Sequence, residues 1–138
     1  MIGDRITRTI RVLIAVLTVA FVLVACEKDD DKPSVNPTIE FLTSEGYTYL
    51  SDTVGTQDTL VVGVMIRKGD DAMHHFEVTS QYNNGATVLV DSLPVGADTF
   101  EFDKTIVTRD LPGTEKWSFV VVENDGDRIR RSLTFVVE

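Results

Sequence analysis

The sequence predicts an all-β domain, a two-layer antiparallel sandwich of about seven to eight strands over residues 38–138, preceded by a signal peptide. Three observations carry this. Beyond residue 37 no stretch has a helical period, whereas apolar and polar residues alternate in run after run. The runs are rich in Val, Ile, Thr and Phe, which suit a pleated, half-buried surface. Clusters of Asn, Asp, Gly and Pro punctuate them at short intervals.

The first 25 residues read as an address. Arg5, Arg8 and Arg11 form a positive leader, and Val12–Ala25 follows as 14 residues with only Thr18 polar. As a helix this run would span ~21 Å, short of a ~30 Å hydrocarbon core. Charged start, short apolar middle and small terminal residue are the order of an export signal. Of the 138 residues, those after 25 keep ten basic and twenty-one acidic side chains, a net −11. That balance argues against nucleic acid, whose phosphates need Lys and Arg. The single cysteine excludes an internal disulfide and a cysteine-rich zinc site. Residues 26–37, with Pro33, Ser34, Asn36 and Pro37, offer little core material and read as a tether.

The domain is then laid out by alternation. Short strands are expected at Thr38–Leu42 and Tyr47–Leu50. In Thr59–Lys68, Leu60, Val62, Val64 and Ile66 alternate with Val61, Gly63, Met65 and Arg67. His74–Tyr82 sets Phe76 and Val78 on one face against His75, Glu77, Thr79 and Gln81. Asn83-Asn84-Gly85 predicts a type I′ hairpin turn, with Asn-Gly taking the positive φ angles, and Ala86–Asp91 returns as a strand. Leu93–Asp98, with Pro94 and Gly96, is expected as a loop. Thr99–Val107 carries Phe100 and Phe102 opposite Glu101 and Asp103. Leu111-Pro112-Gly113 turns the chain into Lys116–Glu123, which buries Trp117, Phe119 and Val121. Asn124–Asp127 turns again, and Arg128–Val137 closes the domain with Leu133, Phe135 and Val137 inward. About 100 all-β residues with turns this close point to an immunoglobulin-like/fibronectin III-like antiparallel β-sandwich.

Two resemblances add to this reading. Leu23-Val24-Ala25-Cys26 resembles a bacterial lipobox, and Glu27-Lys28-Asp29-Asp30-Asp31-Lys32 behind it resembles the acidic surface-export stretch of Bacteroidetes lipoproteins. The resemblance implies cleavage between Ala25 and Cys26, a diacylglyceryl thioether and palmitate on Cys26, and an outer-membrane, surface-exposed location. Two or three acyl chains anchor durably where one binds marginally. The domain is similar to the small immunoglobulin-like domains of such lipoproteins in Pro37–Phe41, Gly46-Tyr47, Thr59–Ile66, Trp117-Ser118-Phe119 and Asn124–Asp127. That family implies binding or spacer roles and fixes no ligand.

Candidate chemistry is sparse. His74 and His75 are strand neighbours, expected to point to opposite faces and so not to share a metal ion. There is no Gly-x-Ser-x-Gly, and Glu101 and Asp103 read as a solvated sheet face rather than a catalytic carboxylate pair. No catalysis and no cofactor are expected. Asn124, Asp125 and Asp127 form an oxygen-rich turn of the kind that can ligate calcium, but it lacks the EF-hand spacing and a plain hairpin explains every residue in it, so no metal is expected. Arg128 and Arg130 share a face, with Arg131 in register with Leu133 at the strand end. Tyr47 and Tyr49, on one face of the expected early strand, are the candidates for stacking on a glycan, against the alternative of packing on the second sheet. The expected partners are the membrane, through Cys26, and either a glycan or a protein, the latter including a larger outer-membrane complex.

Overall fold

The computed structural model describes residues 35–138. The expected signal peptide, Cys26 and the acidic stretch from Glu27 to Lys32 lie outside the described residues. Eight strands follow one another: β1 (Thr38–Phe41), β2 (Asp52–Val54), β3 (Thr59–Arg67), β4 (Met73–Tyr82), β5 (Thr87–Pro94), β6 (Thr99–Val107), β7 (Gly113–Glu123) and β8 (Arg128–Val137). They form two sheets, β1-β3-β6 and β2-β8-β7-β4-β5. This is the strand order of an immunoglobulin-like sandwich: β1, β3 and β6 stand where strands A, B and E do, and β4, β7 and β8 where C, F and G do, with β5 widening the second sheet. All pairings are antiparallel except β2 on β8, which is parallel from Asp52↔Phe135 to Val54↔Val137. Among the described residues no helix is long and apolar enough to cross a membrane.

The inward faces are those the alternation marks. Val62, Val64 and Ile66 of β3 meet Phe76 and Val78 of β4, Phe119 and Val121 of β7, and Leu133 and Phe135 of β8 in one core. Phe119 sits at its centre, edge-on to Phe41 of β1 at 5.7 Å and stacked with Phe76 at 6.4 Å between centroids. Phe76 in turn meets Phe102 at 5.1 Å and Phe100 at 5.7 Å, so five aromatic rings knit the two sheets. Burying each such side chain contributes ~1.5–3 kcal/mol, which lets a domain without a disulfide hold together.

Four local expectations need correction. Residues 47–50 are not a strand: the chain there crosses from one sheet to the other, held to β3 by Thr48 N–H donating to the Val61 carbonyl. The second strand is instead the short β2. The tight turn is type I′, but its two positive-φ residues are Asn83 and Asn84, one position earlier than Asn84-Gly85. The Leu93–Asp98 loop is shorter, because β5 runs on through Pro94, a residue an edge strand tolerates on its unpaired side. The fourth concerns the histidines. Met73 pairs with Glu123 and His75 with Val122, leaving His74 as a bulge. The bulge turns both rings to the same side, edge to face at 4.8 Å, with Nδ1 atoms 2.6 Å apart. The opposite-face rule applies to a regular strand, and this one is irregular at that point.

Candidate functional site

One pole of the sandwich gathers the loops Lys68–Ala72, Val95–Asp98 and Asn124–Asp127, together with the segment entering β1. Backbone bonds tie them: Lys68 N to Asp98 O, Val95 N to His74 O, and Asn124 N to Ala72 O. Val35 is clamped to the same pole, donating to an Asp70 carboxylate oxygen at 2.9 Å and accepting from Asp70 N at 2.8 Å. Gly69 permits this approach, since a Cβ there would stand 1.8 Å from the Val35 carbonyl oxygen.

The pole is acidic. Strand β7 delivers Glu123, only 4% exposed, beneath the turn that carries Asp125 and Asp127. One carboxylate oxygen from each of the three lies within 4.8 Å of the others. The turn is set by Asp127 N–H donating to Asp125 Oδ1, by Gly126 at φ 98° and by Glu123 N–H donating to Asp127 O. Burial, followed by the charges of Asp125, Asp71, Asp127 and Asp70, pushes the Glu123 carboxyl up from its ordinary value. The third sequence candidate, Asn124, joins the pole through its backbone bond to Ala72.

Beside this pole, on the outer face of the five-stranded sheet, His75 Nε2 meets Glu77 Oε1 at 2.8 Å and Arg128 pairs with Glu77 Oε2. Burial alone would raise the Glu77 carboxyl. The hydrogen bonds and charges of His75 and Arg128 outweigh it and hold the group below the usual range. Arg131, at the inward register of β8, escapes to the surface and lies over the Phe41 ring at 5.4 Å.

The two tyrosines are not a pair on a strand face. The Tyr47 ring covers Gly63, where a Cβ would stand 2.6 Å from Tyr47 Cε1, and its hydroxyl donates to Asp103 at 3.1 Å. That hydrogen bond, then burial and the Asp103 and Glu101 carboxylates, push its phenol up. Tyr49 is exposed.

The third feature lies along the side of the molecule. Strand β5 is the long free edge of its sheet. Val78 pairs with Asp91 and Thr79 with Leu89, so Val90 bulges out. Val88, Leu89 and Val90 are 53%, 56% and 38% exposed. The one charge on the strand, Asp91, is taken by Lys104 of β6 at 2.7 Å, an ion pair that stitches the open side of the sandwich. Nothing in the alternation marks this edge, because a strand exposed on both faces reads like one buried on both.

No protein-family model matches the chain, and no curated protein sequence matches it. Among solved structures, the chain is similar to one from the complex of zinc 2-glycoprotein with prolactin inducible protein from human seminal plasma (10% identity, 80% of this chain and 100% of that one, TM-score 0.46). It is similar to the CARDB domain of a Pyrococcus furiosus protein (14% identity, 75% and 96%, TM-score 0.45). It is also similar to a conjugate transposon protein from Bacteroides vulgatus (11% identity, 80% and 92%, TM-score 0.43).

Proposed function

We propose that this chain is a non-catalytic immunoglobulin-like binding module, lipid-anchored through Cys26 at the outer face of a bacterial outer membrane, that takes up an extended strand of a protein partner along β5. The observation that carries the binding part is the β5 edge. It offers an unpaired run of backbone N–H and C=O groups, three exposed aliphatic side chains and no unpaired charge, the combination that strand addition uses. On the other long outer surface, Glu77 is already held by His75 and Arg128. Glycan stacking is disfavoured because Tyr47 is spent on Gly63 and Asp103. The lipobox residues Leu23–Cys26 and the acidic stretch Glu27–Asp31 support the anchor and the outward location.

Each half has its own test. Cys26→Ser is expected to abolish palmitate labelling and release the protein from the membrane fraction. In intact cells, an added protease should digest the wild-type domain while a periplasmic control survives; protection of a domain that is cleavable when purified would refute the outward location. For the edge, a photo-crosslinker placed at Leu89 should give one discrete adduct in cells. The same group at exposed Arg130 should not, and Val88→Lys should remove the adduct. An adduct consisting of two copies of this chain would replace the partner with self-association, and the absence of any adduct would reject the β5 reading.

A further inference from the structure

We propose that His74 and His75 form a two-histidine site for a divalent transition-metal ion, copper before nickel or zinc, through their facing Nδ1 atoms. This stands independently of the β5 reading. On a regular strand the two rings would point opposite ways, and the bulge at His74 removes that separation. Their Nδ1 atoms face each other at 2.6 Å, with the rings edge to face. The backbone beneath them is held. The His74 carbonyl accepts from Val95 N–H at 3.1 Å, and His75 is paired with Pro94 on one side and Val122 on the other. His74 is exposed and His75 half-buried, so an ion reaches the pair from solvent.

The decisive observation is the tautomer that Glu77 imposes. Its Oε1 lies 2.8 Å from His75 Nε2, and a carboxylate only accepts, so Nε2 carries the proton. Arg128 takes the other carboxylate oxygen and fixes Glu77 from the far side. In neutral His75, Nδ1 is then a bare lone pair aimed at His74 Nδ1. A carboxylate behind one ring nitrogen, with an open lone pair on the other, is how metal-binding histidines are oriented and made more basic. Without an ion, His74 Nδ1–H donates across the gap; with one, His74 changes tautomer and the ion takes the proton's place. Two nitrogens ~2.0–2.1 Å from a single ion stand ~2.9–3.4 Å apart, so the exposed His74 ring has to swing back by less than about 1 Å. Imidazole suits copper, nickel and zinc, whereas calcium and magnesium want oxygen, and for a given nitrogen site copper binds tightest. Among the described residues no acid or further histidine joins these two nitrogens, so water or an external donor completes the coordination.

The test is titration of the full chain in detergent with Cu²⁺ alone, read by competition with a coloured chelator and by electron paramagnetic resonance. A saturable equivalent carrying the splitting of two imidazole nitrogens is expected, with weaker saturable binding of Ni²⁺ and Zn²⁺. His74→Ala and His75→Ala are each expected to lose it. Circular dichroism checks that the strands persist, and His74→Ala, at an exposed bulge, decides the case if His75→Ala does not fold. Glu77→Gln still accepts from His75 Nε2–H but lacks the charge, and is expected to weaken Cu²⁺ binding by about 10–100-fold. Asp125→Asn with Asp127→Asn, at the acidic pole, is expected to leave the equivalent in place. A wild-type chain without that equivalent, its survival at full affinity in a folded histidine variant or in Glu77→Gln, or its loss in the acidic-pole variant overturns the proposal.

Discussion

Phe119→Ala is expected to lower the free energy of unfolding by about 3–5 kcal/mol, the range for emptying a large aromatic site in a packed core. The position is chosen by geometry. Phe119 is fully buried, contacts Phe41 and Phe76 directly, and is the ring through which β1 of the small sheet meets β7 of the large one. Its replacement opens a void between two sheets whose backbones are fixed by their own ladders and so collapse poorly into it. Urea unfolding followed by circular dichroism measures the loss directly. A change below ~1 kcal/mol would mean that the sheets slide together to fill the space and that the aromatic cluster is not the centre of the fold.

Glu115→Ala is expected to cost about 2–4 kcal/mol, although the residue removed is charged. Glu115 is 1% exposed and faces inward from β7. One carboxylate oxygen accepts from the Arg109 backbone N–H at 2.7 Å, and the other from the Trp117 indole N–H at 3.2 Å. Alanine strands both donors away from water, and each carries the penalty of an unmade bond. Glu115→Gln retains one acceptor and is expected to lose about half as much. Trp117 is the only tryptophan, so its emission reports whether the indole is left unpaired or reaches water. Equal losses for the two variants would show that side-chain volume, not hydrogen bonding, fixes the position.

These two glutamates also show where the sequence stops speaking. The alternation in the seventh strand names Trp117, Phe119 and Val121 as inward, and the same parity extended by one step each way names Glu115 and Glu123. What parity cannot say is whether an inward acid finds donors. Glu115 finds two, one of them from Arg109 on the preceding loop, and Glu123 finds none among the described residues. That difference depends on loops brought together in space. The same reason hides the His74 bulge and the Lys104–Asp91 pair, each the product of strand register rather than of local pattern. The segment between residues 42 and 52 misleads for another cause: Tyr47 and Tyr49 imitate strand spacing while the ring of Tyr47 is filling the hollow left by Gly63. Long strands such as β3 and β8 were legible because one face must be dry along their length.

The clamp at Val35 bears on mechanics. The first strand runs away from the pole at which the chain enters, pairing in sequence from Thr38↔Arg67 to Phe41↔Val64. Tension applied to the chain upstream of Val35, directed outward from that pole, therefore acts along the strand axis. The ladder is loaded in shear, so its bonds share the force instead of opening singly like a zipper. The two bonds between Val35 and Asp70 take the load first, with Gly69 letting the backbones lie close enough to form them. Pulled through the chain upstream of Val35, the domain is thus gripped in its stronger direction.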